Sequence, residues 1–211
     1  MHPRYKEWIS HLFVETASNE DNSPFVDETE IAELIELTFR NSGSDLQGFT
    51  DTRLNQGLWD LVSSSGSDYL FVVLCSESVP LSRRLSAIAS ITVLYRDLFQ
   101  KRCTQTLSHL DEQPSSPLNA VCYMFWDICA LSYLGDYPDK KQIADACFTV
   151  LASTFEIDHL ACREAAIHGY GELSSFYRTR VDQTLDKVLQ TEIADARLRN
   201  YANSARFHYI Q

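Results

Sequence analysis

The stretch "DHLACREAAIHGYGELSSFYR", residues 158–178, decides how this chain is read. It holds His159, Cys162, Glu164, His168 and Glu172, a set that suits either a metal or thiol site or one helix of a packed array. Plotted on a helix, the residues separate. Cys162, Ala165, Ala166, Gly169, Leu173, Phe176 and Tyr177 form one stripe. Its first half is small, which lets a neighbouring helix approach closely, and its second half is bulky and fills a core. Gly169 costs up to about 1 kcal/mol of helix propensity relative to Ala, and a close helix contact is the expected compensation. Glu164, His168 and Glu172, at i, i+4 and i+8, fall on another face.

The surroundings are helical. Apolar residues recur at steps of three and four through Trp8, Ile9, Leu12 and Phe13. They recur again through Ile31, Leu34, Ile35 and Phe39, after a capping-box-like start at Asp27 and Glu30. "NSGSDLQGF" (41–49) is expected to break that second helix, and Leu54, Leu58, Trp59 and Val62 mark a third. The apolar run "DYLFVVLC" (68–75) fits strand or buried helix, and its helical setting favours helix. Pro80 suits the first turn of a long helix to about Gln100. Further helices are expected at about 118–134, 139–155, 159–177, 180–191 and 193–206, with "GDYP" (135–138) between the first two. No stretch shows convincing β alternation.

A weak internal repeat supports an array. Leu81 to Ser90 aligns with Leu160 to Gly169, so that Arg84 matches Arg163 and Ala87 matches Ala166. Leu118, Met124 and Phe125 take equivalent apolar places between them, giving offsets of 37 and 42 residues. Such periods suit stacked helix pairs. The stretch 160–173 resembles the second helix of a HEAT-like repeat, whose usual pattern is V-R-x-x-A-A-x-A-L-G-x-L. Arg163, Ala165, Ala166, Gly169 or Gly171, and Leu173 carry the resemblance. His168, Tyr170 and the extra glycine depart from it. The resemblance is looser over 79–191 and does not clearly cover 1–66. It implies an all-α, HEAT/armadillo-like right-handed superhelix of about ten helices. Residues 1–211 are then one helical domain: an N-terminal helical part (1–66), and helix pairs with a C-terminal capping helix (67–211).

Composition narrows the function classes. The net charge of −11 is concentrated early, with −10 in residues 1–80, −2 in 81–160 and +1 in 161–211. This acidity argues against nucleic acid as a partner of the N-terminal part and permits a basic protein. Arg83, Arg84, Arg96, Lys101 and Arg102 make one basic helix, expected to face the acidic third within the molecule. The most apolar stretch, 119–135, is too short for a membrane span and carries Asp127. That carboxylate, expected to be buried, needs a partner such as an Arg on a neighbouring helix. Most of the six cysteines sit in apolar helical patterns without a C-x-x-C pair, and "MHPRYKEWISHLF" lacks a signal-length apolar run. A reduced, cytoplasmic protein is expected.

Specific chemistry is sparse. There is no G-x-G-x-x-G, no P-loop, no G-x-S-x-G and no H-E-x-x-H. Glu164, His168 and Glu172 can ligate a divalent metal, although one helix rarely supplies every ligand, and a polar surface ladder is the plainer reading. Cys162 and His159, at i, i+3, can touch, but a packed Cys162 disfavours a thiolate. The leading expectation is a non-enzymatic protein–protein interaction module with no cofactor. Its weak contact candidates are Glu164, His168 and Glu172. The second is an immunity- or antitoxin-like protein that neutralises a basic toxin through acids such as Glu28, Glu30, Glu33 and Glu36. The third is a metal-dependent enzyme using the Glu164/His168/Glu172 face.

Overall fold

A computed structural model describes residues 2–14, 23–67, 69–129, 139–190, 193 and 195–207. All regular structure among them is helical, with no strand. The N-terminal helices are α1 (Tyr5–Phe13), α2 (Glu28–Arg40), the single turn α3 (Ser42–Asp45), α4 (Asp51–Val62) and α5 (Tyr69–Cys75). The rest are α6 (Leu81–Leu94), α7 (Gln100–Arg102), α8 (Leu118–Ile128), α9 (Lys140–Phe155), α10 (Leu160–Gln190) and α11 (Ala196–Ala205).

Local chemistry sets several boundaries. Asp27 caps α2, its Oδ1 accepting from Glu30 N at 2.7 Å. Thr50 caps α4 and Asp195 caps α11 in the same way. The run 69–75 is a helix, and all of its residues but Phe71 are buried. The expected break at 41–49 contains the turn α3. The long helix from Pro80 is interrupted by a π-helical turn at Tyr95–Phe99. There the buried Tyr95 hydroxyl donates to Cys122 O at 3.0 Å. The expected second half of helix 118–134 and the "GDYP" stop lie outside the described residues. The two helices expected at 159–177 and 180–191 run together as α10, bent at Tyr177 (φ −129°, ψ 39°). At that bend Phe176 departs from the expected core stripe. It is 47% exposed, with Lys140 Nζ 5.7 Å from its ring centroid.

The helices pack in two rows. One runs α2, α6, α9 and the other α4, α8, α10, α11, with α9 against α10 joining them. A single cluster of buried side chains extends from Tyr5 to Ala205. The small stripe of α10 sits inside it. A Cβ built on Gly169 would lie 2.5 Å from Leu151 Cδ2 on α9 and 2.8 Å from Trp126 Cγ on α8. Glycine therefore allows α10 to seat against both neighbours.

The aligned arginines do the same task. Arg84 is 1% exposed and donates to Val73 O (3.0 Å) and Leu74 O (2.5 Å), in the last turn of α5. Arg163 donates to Phe155 O (3.3 Å), the last residue of α9. Each guanidinium satisfies carbonyls that the helix end leaves without intrahelical donors. Arg84 also pairs with Asp139 at 3.0 Å.

Arg83 and Arg102 of the basic helix meet the acidic third, whereas Arg96 and Lys101 pair with Asp97 of their own segment. Arg83 lies 3.4 Å from Glu36 and 3.9 Å from Glu33, and Arg102 lies 2.6 Å from Asp51. All six cysteines are buried free thiols, including Cys103, whose sequence setting is polar. No described helix is long and apolar enough to cross a membrane.

Candidate functional site

The polar face of α10 does not point to solvent as a ladder. Glu164 is fully buried and His168 is 3% exposed, which corrects the expectation of an outward-facing surface. Two elements distant in sequence cover them: the 3₁₀ turn Ser108–Leu110 and helix α11.

Glu164 is saturated by that turn. Its carboxylate accepts from Ser108 N (2.9 Å) and His109 N (2.9 Å), and pairs with His109 Nδ1 at 2.6 Å. Backbone amides at the start of a turn stabilise a carboxylate much as a helix N-terminus does. Glu164 thereby ties the 103–117 connection to α10. The His109 ring stacks on Tyr201 of α11, with centroids 4.0 Å apart and planes 15° from parallel.

Tyr201 passes the connection on. Its hydroxyl lies 2.7 Å from His168 Nδ1 and 3.0 Å from the hydroxyl of Tyr123 on α8. The Tyr123 ring meets His168 edge-to-face at 4.5 Å. Burial pushes the Tyr123 phenol up to about 12 and raises Tyr201 further, so both stay protonated at neutral pH.

Beyond His168 the site opens. His168 Nε2 lies 3.8 Å from Glu172 Oε1, one turn further along α10. Asp127, in the last turn of α8, joins them, and one ligand atom from each of Asp127, His168 and Glu172 lies within 4.8 Å of the others. Asp127 is exposed, which corrects its expected burial. The α8 helix turns that position outward beside α10, although Trp126 before it is buried. The structure thus groups His168 and Glu172 with Asp127, and it separates Glu164 from them.

The N-terminal candidates face the interior of the chain's own charge pattern. Glu28 accepts from the hydroxyls of Ser76 and Ser78, the first at 2.6 Å, and these bonds hold its carboxyl below the usual range. Burial raises the Glu36 carboxyl, but hydrogen bonds from Ser86 and Arg40 outweigh it and leave the group lowered. The Glu36 side chain is 13% exposed, whereas that of Glu33 is 38% exposed. Thr29, Pro80, Ser82, Arg83 and Ser86 line a shallow, open concavity at the α2–α6 seam.

Cys162 is fully buried, as the stripe predicts. The neighbouring Cys122 side chain lowers its thiol, against the opposing effect of burial and with help from His159. Cys122 itself is pushed up by burial. With its sulfur enclosed, Cys162 has no surface from which to attack a substrate.

Sequence reasoning did not single out His109, Tyr123 and Tyr201. They come from separate segments, and no local spacing connects them. Compared with known proteins, the chain matches no family model, no curated protein and no solved structure, so its own geometry carries the functional reading.

Proposed function

We propose that this chain is a non-enzymatic protein–protein interaction module, built as a HEAT-like right-handed array of helix pairs. The observation that carries the reading is the shared role of the repeat-aligned arginines. Arg84 and Arg163 each cap the helix that precedes their own, within two stacked rows of helices. Recurrence of one packing device at aligned positions is what duplicated helix pairs produce. Arrays of this kind offer long exposed helix faces to partners.

The α2–α6 seam is the face best suited to contact. It carries Glu33 and Arg83, each with a side chain about two-fifths exposed, beside the open concavity. The acids assigned to a basic partner are largely engaged within the chain: Glu28 by serines, and Glu36 by Arg40, Arg83 and Ser86.

The test is affinity capture from the native host with wild-type protein and a Glu33→Lys/Arg83→Glu variant of matched Tm. A defined partner that is captured by wild type and lost by the variant supports the reading. A single strongly basic partner would favour the antitoxin-like version. A partner set unchanged by this and by comparable charge reversals on the other exposed faces would sink the proposal.

A further inference from the structure

The junction of α8 and α10 holds a set of groups that the interaction reading does not use. We propose that Asp127, His168 and Glu172 form a binding site for a first-row divalent cation of the Zn²⁺ or Mn²⁺ type. The proposal goes beyond the interaction module and does not depend on it.

Three features support it. The first is convergence. One imidazole nitrogen and two carboxylates, from helices 41 residues apart in the chain, bring ligand atoms within 4.8 Å of one another. Ligands held at about 2.1 Å from a tetrahedral cation stand about 3.4 Å apart. The His168–Glu172 separation of 3.8 Å is too long for a hydrogen bond and close to that ligand spacing. Asp127 is exposed and Glu172 is half-buried.

The second is a built supporting shell. His168 Nδ1 is held by Tyr201, which is held in turn by Tyr123. That contact fixes the ring, and with Nδ1–H donating to Tyr201 it places the basic lone pair on Nε2, the nitrogen facing Glu172. Metal-ligating histidines are oriented in this way by the hydrogen bond at their other nitrogen. The third is charge. Two carboxylates converge beside one imidazole, a donor set whose negative charge a divalent cation neutralises.

The donor set selects the ion. Imidazole suits Zn²⁺ and its neighbours, and carboxylate suits Mn²⁺ as well, whereas Mg²⁺ and Ca²⁺ prefer all-oxygen shells. Three protein ligands leave at least one coordination position for water, on the side where Asp127 meets solvent. Glu164, the metal ligand expected from helix spacing, takes no part, because the 108–110 turn occupies both of its oxygens.

Chelator-treated full-length protein, titrated with Zn²⁺, Mn²⁺ and Co²⁺ by calorimetry, tests the site. Expected is one saturable site with a cation-dependent rise in Tm. Asp127→Asn or Glu172→Gln should each weaken binding at least tenfold, and the double variant should abolish it. Both positions are solvent-accessible, so the variants should fold. Tyr201→Phe should weaken binding by about tenfold through loss of ring positioning, and Glu156→Gln, at an exposed residue outside the site, should not. Bound Co²⁺ should absorb through d–d bands without thiolate charge transfer. The proposal is overturned by absence of saturable binding, by full binding in the double variant, or by a thiolate–Co²⁺ signature that moves the ion to the cysteines.

Discussion

Replacing Gly169 with Ala sets two opposed effects against each other. Alanine in place of glycine inside α10 gains about 1 kcal/mol of helix propensity. The new methyl would sit 2.5 Å from Leu151 Cδ2, 2.8 Å from Trp126 Cγ and 3.0 Å from Trp126 Cδ1. Leu151 can turn its terminal methyl aside, but the Trp126 indole is rigid and fully buried. Either the ring shifts or α10 lifts away from α8, and overpacking of this kind costs about 1–3 kcal/mol. The net of these magnitudes is a destabilisation of up to about 2 kcal/mol for Gly169→Ala once the propensity gain is offset. For a chain of this size, that lowers Tm by up to about 8 °C. Urea unfolding followed by circular dichroism measures it, with an unchanged m-value indicating an intact two-state transition. Ser175→Ala, on an exposed position of the same helix, is the control and should be neutral or slightly stabilising. Combining Gly169→Ala with Leu151→Ala should cost less than the sum of the two, because one clash is removed. A rise in Tm for Gly169→Ala by the full propensity increment would refute the close three-helix contact.

Two further outcomes follow from the buried polar chain. Glu164→Ala should cost about 1–3 kcal/mol, because it removes the acceptor of two backbone N–H donors and of the His109 imidazole in the partly buried 108–110 turn; Glu164→Gln keeps an acceptor and should cost clearly less, and equal losses in chemical denaturation would argue against the hydrogen-bond account. Stability should fall on the alkaline side: burial raises the folded-state phenols of Tyr5, Tyr123, Tyr170 and Tyr201 above the ordinary value of 10, Tyr123 to about 12. The unfolded chain then loses these protons first, so this stability is intact below pH 10 and falls from there, through about 12 for Tyr123 and onward for the others. A Tm flat to pH 12 would contradict the burial of these hydroxyls.

The periodicity of apolar residues anticipated most helices and several of their ends. The Asp27 cap follows from short-range rules, because capping involves residues within a turn, whereas the run 69–75 fits strand or helix by periodicity and is read as helix from its helical surroundings. The small stripe through Cys162, Ala166 and Gly169 was legible for the same reason, since only close helix packing compensates for glycine there. Phe176 escaped its stripe because the bend at Tyr177 changes the direction of the helix face, and helical spacing alone carries no such bend.

For the polar residues of the opening stretch, spacing identified a shared helix face but not what covers it. Glu164 and His168 looked like surface groups because the stripe predicted to pack lay elsewhere on α10. Their burial comes from the 108–110 turn and from Tyr201, about 55 and 33 residues away along the chain. Asp127 looked buried because its neighbours in sequence are apolar, yet α8 ends there and releases it to solvent beside Glu172. A helical face is a property of twenty consecutive residues. Whether a carboxylate on it is enclosed, paired or open is settled by segments that only the folded chain brings alongside. The sequence by itself therefore determined helices, their apolar stripes and the place of Gly169. The tertiary structure alone decided that Glu164 braces a connection, and that His168, Glu172 and Asp127 meet.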